Sequence, residues 1–333
     1  RAMAALHAIM RSKGMSKAYP KSLPQAGLTR RAVLAGVGGA AGLVAGLPAG
    51  GQPQTSMTLN LDDPEDNLKA LIKLQADLSG KDVIGGFPGT VWAWVPGAGN
   101  TLLLKTYGIG SSHVEQVNGG WRFYHRELLY YMDPVSGEII SEWENPFTGR
   151  QVEVLHILND PVNRFYTSEG GPFAFPRPYE IYGDDLVFRV SFFKFQESLM
   201  PRADYPVHSA HDMYQSGELW GMIGRLSEVM NPDVMSASCV TSWGRISQWL
   251  PFMEMGDRPG SLVFHSHAYK LLGGAAELPP NILAYTEKHH SKYLESPKTW
   301  AGLSDNRNQL SESKKEIDRR TNGSGPAGSV FEL

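Results

Sequence analysis

Histidine, glutamate and arginine side chains at six positions could together move protons on a small molecule. An imidazole or a carboxylate held in an apolar interior has a shifted pKa and can act as a general acid or base. A guanidinium offers a planar fork of donors that can bind a carboxylate or polarise a carbonyl. The residues that we single out for this chemistry are His125, Glu127, His156, His211, Arg245 and Arg258.

The two arginines lie in a run from Thr241 to Gly260 that is rich in Trp, Pro and Gly. This composition predicts a shaped and rigid loop. An alternative interpretation of the run is an internal ion pair, such as Glu254 with Arg258, with the tryptophans only packing. For each histidine and glutamate, the alternative is a hydrogen-bonded core residue. The sequence leaves both alternatives open.

Four histidines could bind a transition metal. His208 and His211 are three residues apart, which places them on one face if the segment is helical. His265 and His267 are two residues apart, which places them on one face of a strand. Imidazole nitrogens suit Zn, Fe or Mn, but neither spacing belongs to a defined metal motif. A divalent transition metal is therefore a secondary hypothesis, and a plain polar face is the alternative.

Strands must position most of these side chains. β-branched and aromatic residues dominate six segments, and turn-like breaks separate them, which predicts antiparallel hairpins. The segments are 91–95, 101–107, 121–131, 138–144, 151–158 and 186–197. The alternation along the third segment places His125 and Glu127 on the same face as Trp121 and Phe123.

The predicted fold is mainly β, an antiparallel, lipocalin-like β-barrel that closes around an aromatic interior. A β-sandwich is the alternative. Helical caps and an N-terminal helix complete the prediction, and that helix begins at Asp62-Asp63-Pro64 and ends at Gly80. Residues 198–232 contain several prolines and glycines and are predicted to form a long loop with short helices, and another helix begins at Pro280.

Charge divides the chain into a basic leader and an acidic body. The chain has 31 basic and 34 acidic residues, and its net charge is −3. The first 49 residues contain seven basic residues and no acidic one, so the remainder carries a net charge of −10. An acidic body is a poor partner for nucleic acid, because binding there depends on phosphate neutralisation. The single cysteine, Cys239, excludes an intrachain disulfide framework and a Cys-rich metal site.

The leader resembles a twin-arginine export signal. Arg30 and Arg31 precede an apolar segment that is too short and too weakly apolar for a comfortable membrane span. We therefore expect the twin-arginine export machinery as a partner and a periplasmic or secreted location. No stable membrane span is expected after removal of the leader.

The sequence divides into four predicted parts. Residues 1–49 are the export leader, within which 1–14 are interpreted as upstream read-through before a start at Met15. Residues 50–84 form a linker and the N-terminal helix, and residues 85–300 form the barrel domain. Residues 301–333 are a charged, flexible tail, with a solvated helix over 309–320 as the alternative.

Two runs of residues resemble a bacterial family catalogued as domain of unknown function 1838. The first run includes Asp133-Pro134, Trp143-Glu144-Asn145-Pro146, Gly149, Val154, His156 and Asn159-Asp160-Pro161-Val162. The second includes Ser242-Trp243, Arg245, Trp249-Leu250-Pro251, Gly256-Asp257-Arg258-Pro259-Gly260 and His265. The resemblance covers about residues 85–300 and implies an exported protein, but it implies no particular chemistry. A looser resemblance to lipocalin-type barrels rests on strand alternation and hairpin turns.

Two classes of function fit these patterns. The first is an exported enzyme of isomerase, lyase or hydratase type that acts on a small hydrophobic molecule in the barrel by His and Glu acid–base chemistry. The second is a non-catalytic periplasmic binding or carrier protein that holds a lipophilic ligand in the same cavity. Convergence of His208, His211, His265 and His267 in one cavity would favour a metal-dependent form of the first class.

Overall fold

The computed structural model describes residues 58–169, 175–304 and 308–321. The leader predicted at residues 1–49 and the start of the linker lie outside these residues.

Strands dominate the described chain, and a few short helices accompany them. The α-helices are α1 (Pro64–Gln75), α2 (Leu226–Met230), α3 (Pro280–His289) and α4 (Asn308–Thr321). The strands are β1 (Val83–Trp94), β2 (Thr101–Val117), β3 (Gly120–Met132), β4 (Glu142–Glu144), β5 (Gln151–Glu153), β6 (Ile157–Asn159), β7 (Arg164–Tyr166), β8 (Tyr179–Tyr182), β9 (Asp185–Glu197), β10 (Met213–Arg225), β11 (Cys239–Ser247) and β12 (Ser261–Leu271). Single-turn 3₁₀ helices lie at Pro251–Met253, Gly274–Glu277 and Ser291–Leu294. In the described ranges, no helix is both long and apolar enough to cross a membrane.

One large antiparallel sheet contains ten of these strands. Its order is β6-β3-β2-β1-β12-β11-β10-β9-β8, and β7 also pairs with β3. Hairpins join successive strands on each side, and the pairing of β1 with β12 connects the two sides. β4 and β5 form a separate two-stranded sheet. The prediction of a mainly β, antiparallel fold is therefore confirmed.

The sheet curls but does not close into the predicted barrel. One end is formed by β6 and β7 beside β3 and the other by β8 beside β9, and no ladder joins these ends in the described part of the chain. Helix α1 lies between them. Gln75 accepts a hydrogen bond from Tyr166 Oη of β7 at 3.0 Å, and its Nε2 lies 3.0 Å from Met222 Sδ of β10. The prediction of closure was wrong because this helix occupies the space that a closing strand pair would need.

Helix α1 packs against both ends of the sheet with two apolar stripes. Leu71 and Leu74 contact a cluster that includes Phe188 of β9. Leu68 and Ile72 contact a second cluster built mainly from β2, β3 and β7. A helix with apolar residues on two sides must be covered on two sides, and the curled sheet provides both surfaces.

The start of α1 is where the sequence predicts it, whereas its end comes earlier. The Asp63 side chain accepts hydrogen bonds from the N–H groups of Glu65 and Asp66, which caps the helix. The helix ends at Gln75 instead of Gly80. There the ammonium group of Lys270 donates to the carbonyls of Lys73 and Ala76, at 2.7 and 2.6 Å, and satisfies oxygens that a longer helix would use itself.

The loop predicted at 198–232 contains the long strand β10. Two of its glycines, Gly217 and Gly224, are packing positions rather than turn signals. A Cβ atom on Gly224 would lie 2.2 Å from Leu74 Cδ2, and one on Gly217 would lie 3.0 Å from the Phe193 ring. The strand pairs with β9 along its whole length, so a central part of the sheet was misread as a loop.

The charged segment near the C-terminus contains a docked helix. Residues 308–321, predicted as part of a flexible tail with a solvated helix over 309–320 as the alternative, form helix α4. Ile317 keeps only 3% of its surface exposed, and Asp318 accepts a hydrogen bond from Tyr205 Oη at 2.7 Å. Arg320 pairs with Glu153 of β5 at 2.9 Å. One apolar side chain and two polar contacts therefore hold this helix in place.

Candidate functional site

The candidate site lies on the face of the sheet that curls around α1, which we call the inner face. Residues that pair directly across an antiparallel ladder share a face, so the register identifies its members. Glu127 pairs with Gly110 of β2, which pairs with Gly85 of β1, and Gly85 pairs with Lys270 of β12. Because Lys270 contacts α1, the whole row faces inward.

Apolar layers close the inner face at both ends. At one end, α1 packs on Met222 and Phe188. At the other end, the segment that contains Trp249 and Phe252 packs on Val91 and on further residues of the central strands. Between the layers lies a zone of polar and aromatic side chains from six strands, which we call the inner band, and Tyr131 at its edge also packs in the second layer. The members of the inner band are His125, Glu127, Tyr131, Asn159, Arg164, Glu218, Trp220, Trp243, Arg245 and Ser266.

His125 and Glu127 form an imidazole–carboxylate pair in this band. His125 Nε2 lies 3.5 Å from Glu127 Oε2, and Asn159 Nδ2 donates to Glu127 Oε1 at 2.8 Å. Burial raises the pKa of Glu127, but the hydrogen bonds and positive charge around it lower the pKa by more, to about 2. Glu127 is therefore a carboxylate at neutral pH, accepts a hydrogen bond from Asn159 and lies within ion-pair distance of the imidazole.

The backbone and a glycine fix the orientation of His125. Its N–H donates to Asn163 Oδ1 at 3.2 Å, and its carbonyl accepts from Val162 at 2.6 Å. A Cβ atom on Gly110 would lie 2.9 Å from His125 Cε1, so the ring can lie over β2 only because residue 110 is glycine. Since a carboxylate only accepts, the neutral ring carries its proton on Nε2 and presents a lone pair on Nδ1.

The opposite wall of the band comes from β10 and β11. Glu218 accepts a hydrogen bond from Trp243 Nε1 at 3.2 Å, and Arg245 donates to Tyr214 Oη. Arg164, on the other side of the unclosed sheet, interacts electrostatically with both Glu127 and Glu218. The charge of Arg164 on β7 therefore acts on carboxylates of both walls of the band.

Solvent reaches the band from the unclosed side. Arg164 is exposed although its charge acts on Glu127 and Glu218. The Glu127 side chain keeps 31% of its surface exposed, and the His125 side chain keeps 15%. A small molecule could enter by the same route.

Aromatic rings line the wall beside the charged groups. The ring centroids of Trp220 and Trp243 are 5.8 Å apart, and those of Trp243 and Phe264 are also 5.8 Å apart. The guanidinium carbon of Arg245 lies 5.6 Å from the centroid of Phe264. The planes of these two ring pairs are tilted by 44° and 48°, so the rings form an uneven apolar wall next to the polar groups.

Several buried polar atoms of the band have no hydrogen-bond partner within the described residues. They are His125 Nδ1, Tyr131 Oη, Asn159 Oδ1, Trp220 Nε1 and Ser266 Oγ. A buried polar atom without a partner costs about 1–3 kcal/mol, so proteins rarely leave several together. Four strands contribute these five atoms to one face, which indicates that a ligand or ordered water satisfies them.

Three of the sequence-predicted catalytic residues lie in the band and three do not. His125 and Glu127 are brought together, and Arg245 lies on the opposite wall. His156 instead accepts a hydrogen bond from the N–H of Tyr131 at 3.2 Å. Burial, with a smaller contribution from His290, lowers the pKa of His156 to about 3, so it is neutral and positions β3.

His211 and Arg258 lie on exposed loops away from the band. The carbonyl of Arg258 accepts a hydrogen bond from Trp249 Nε1 at 3.0 Å, which makes its backbone part of the loop's own packing. The alternative ion pair between Glu254 and Arg258 is not formed, because Glu254 pairs with Arg150 at 3.0 Å.

The structure does not bring the four candidate metal ligands together. His265 and His267 are exposed on the outer face of β12, with ring centroids 5.0 Å apart. His208 Nδ1 lies 3.0 Å from the carbonyl oxygen of Pro251, and the His208 side chain lines a surface pocket of about 220 Å³. His211 is exposed. Across the three described ranges, no group of three or more His, Cys, Asp or Glu residues is placed to hold a metal ion.

Sequence reasoning missed half of the charged groups in the band. Glu218 and Trp220 lie in the segment misread as a loop, because Leu219 and Gly221 between the inward-facing residues give no clear alternation of polarity. Arg164 lies on a three-residue strand, and no local pattern distinguishes so short an element.

Comparison with known proteins gives one family. The family described as "Protein of unknown function (DUF1838)" matches residues 80–312, which include every member of the inner band. No curated protein matches the chain.

Proposed function

Since the chain belongs to the DUF1838 family, whose description states no activity, we propose a function from the geometry of the inner band. The protein is an enzyme of isomerase, lyase or hydratase type that acts on a small hydrophobic molecule. His125 moves the proton, and Glu127 positions the imidazole. The observation that carries this proposal is the pairing of His125 Nε2 with a carboxylate while the buried Nδ1 has no partner in the described chain.

The proposed chemistry follows from the proton positions. Glu127 holds the proton on Nε2, so Nδ1 accepts a proton from a carbon of the substrate and becomes an imidazolium nitrogen. The nearby carboxylate stabilises that cation. Nδ1 then returns the proton at another carbon in an isomerase. In a lyase or hydratase, it passes the proton to a leaving hydroxyl or takes one from water.

The arginine on the opposite wall has a separate role in this proposal. Charge that develops on a substrate oxygen during proton removal needs a donor that is already in place. Arg245 lies on the inner face, where Tyr214 and Phe264 fix its guanidinium. It polarises the oxygen while His125 acts on the neighbouring carbon.

A deuterium-exchange assay tests the mechanism without knowledge of the natural substrate. The protein is incubated in heavy water with a panel of hydrophobic ketones, enones and alcohols, and mass spectrometry detects deuterium uptake, isomerisation or hydration. His125→Ala is expected to reduce the rate about 100-fold or more, and Glu127→Gln about 10-fold, because general-base catalysis contributes at this scale. His211→Ala, on an exposed loop outside the band, keeps the native rate. Equal rates in native protein and His125→Ala would contradict the mechanism.

The second candidate is a non-catalytic binding or carrier protein for a lipophilic ligand. The two apolar layers and the neighbouring indole rings of Trp220 and Trp243 support it, since they would hold an apolar molecule without reaction. Native mass spectrometry distinguishes the two candidates. A carrier releases an unmodified lipophilic ligand and changes no member of the panel, whereas an enzyme changes at least one.

We also propose that the protein is exported to the periplasm or secreted, with the twin-arginine machinery as a partner. Arg30 and Arg31 before an apolar segment support this proposal. Cell fractionation of the full chain with both residues changed to lysine tests it. Retention of that variant in the cytoplasm is expected, and unchanged export would contradict it.

A further inference from the structure

We propose that the inner band takes an uncharged molecule and holds it through a hydrogen-bond acceptor, such as a carbonyl oxygen, with Tyr131, Trp220 and Ser266 as donors. This inference rests on the proposed function and names the substrate class of the same site. It follows from the charges in the band, from the position of its unpartnered donors and from its aromatic wall.

The fixed charges of the inner band already balance. Glu127 and Glu218 carry the negative charges, and Arg164 and Arg245 carry the positive ones. Arg164 interacts with both carboxylates, and Arg245 interacts with Glu218. A substrate carboxylate would have to compete with Glu127 or Glu218 for an arginine, and a substrate ammonium group would meet two arginines. An uncharged molecule disturbs neither pair, and desolvation costs it much less.

The unpartnered donors lie in one row across the sheet. Tyr131 pairs with Thr106, which pairs with Gly89, and Gly89 pairs with Ser266. Ser266 pairs with Trp243, which in turn pairs with Trp220. Because the sheet curls, inner-face side chains of one row point toward a common interior.

The chemistry of these atoms selects an acceptor. The indole N–H of Trp220 can only donate, and the hydroxyls of Tyr131 and Ser266 can both donate. None of the three atoms has a hydrogen-bond partner among the described residues, and Tyr131 and Ser266 are at most 3% exposed. A carbonyl oxygen has two lone pairs and can accept from two such donors at once. An apolar ligand alone would leave all three unsatisfied.

The row also meets the other parts of the site. Tyr131 interacts electrostatically with Arg245 and Tyr214 on the opposite wall. The indole of Trp220 lies 5.8 Å from that of Trp243 with a tilt of 44°, and the two rings provide an apolar aromatic surface beside the donors. A conjugated or aromatic carbonyl compound matches both features.

A charge series of naphthalene probes tests the inference by isothermal titration calorimetry at neutral pH. The probes are 2-acetonaphthone, 2-naphthoate and 2-naphthylmethylammonium, which share a ring system and differ in charge. The ketone is expected to bind at least about 10-fold more tightly than either ion, since burial of an ion in a balanced site carries a desolvation cost. Tighter binding of either ion would overturn the inference, and so would the failure of all three probes to bind in the millimolar range.

A donor-deletion variant tests which residues hold the acceptor. Trp220→Phe keeps an aromatic ring and removes the N–H group. This variant is expected to bind the ketone about 3- to 10-fold more weakly. The affinity of 2-ethylnaphthalene, which has no acceptor, stays unchanged in the same variant. Trp94→Phe on the exposed outer face is the matched control and changes neither affinity. Equal weakening of both probes by Trp220→Phe would show a loss of packing and would overturn the assignment of the donor.

Failure of this inference can be told apart from failure of the proposed function. If His125→Ala keeps full turnover while the ketone still binds best, the proton-transfer mechanism is wrong and the ligand class stands. If an ion binds best while His125→Ala loses turnover, the ligand class is wrong and the mechanism stands.

Discussion

The two faces of the large sheet depart from the usual distribution of polar and apolar side chains at particular positions. The inner face encloses charged groups such as Glu127 and Arg245 between apolar layers. The outer face of β9 and β10 carries Phe193, which is 78% exposed, and Leu219, which is 53% exposed. Hydrophobicity alone would have placed the phenylalanine inside and the glutamate outside. At these positions side-chain type does not identify the enclosed face of the sheet, and the departures mark the region where function is expected.

Phenylalanines on β9 give the sharpest test of this comparison. Phe188 is fully buried on the inner face against α1, whereas Phe193 is exposed on the outer face. Phe188→Ala is expected to lower the free energy of unfolding by about 3–5 kcal/mol, because it opens a cavity in the layer next to the band. Phe193→Ala is expected to change it by less than about 1 kcal/mol. Urea unfolding measures both variants, and a larger loss in Phe193→Ala would show that the outer face is covered in solution.

Glycines on β10 give the next test. A Cβ atom on Gly224 would lie 2.7 Å from the backbone oxygen of Ser238 as well as against Leu74, whereas one on Gly221 meets only Ser242 Cβ at 3.9 Å. Gly224→Ala is expected to lower the free energy of unfolding by about 1–3 kcal/mol through overpacking. Gly221→Ala stays within about 0.5 kcal/mol of native protein. Equal melting temperatures for the two variants would contradict the close approach of α1 to the inner face.

The ionisation of Glu127 gives the smallest of the three effects. Its folded pKa of about 2 lies below the ordinary glutamate value of 4.5, so it contributes stability above pH 4.5 that is lost as the pH falls toward 2. The side chain is 31% exposed, so we expect a contribution of about 1–2 kcal/mol after allowance for solvent screening. Glu127→Gln is expected to lose less free energy of unfolding on acidification, because this contribution is absent. Glu197→Gln, on the outer face, is expected to keep the pH dependence of the native protein. Urea unfolding measured from pH 5 to pH 2 checks this prediction. If the free energy of unfolding fell equally with pH in the native protein and in Glu127→Gln, the pairing of Glu127 with His125 would be contradicted.

Local sequence signals predicted the elements better than their arrangement. The N-cap at Asp63, the hairpins and the sharing of one face by His125 and Glu127 all follow from interactions over a few residues. Strand β10 was missed because its glycines look like loop signals until Leu74 and Phe193 are seen against them. A glycine does not reveal from sequence whether it bends the chain or admits a neighbour.

Only the part of the candidate site that depends on local sequence signals could be predicted. Two residues of period-two alternation suffice to pair His125 with Glu127. The approach of Arg164 to Glu218 needs the register of six strands and the curl of the sheet, and neither can be read from a window of sequence. The four candidate metal histidines show the opposite case. The spacing within each pair suits a shared face, but the described structure does not gather the two pairs into one metal site.

The sequence by itself determined the antiparallel β character of the domain, the capped start of α1 and the residues that share a strand face. Only the tertiary structure decided which face is enclosed, that α1 takes the place of a closing strand pair, and that charged groups from opposite ends of the sheet meet in one band. Alternation is a local property with period two, so it assigns side chains to one face or the other without saying which face is inside. That choice depends on long-range pairing and on the helix that covers the sheet.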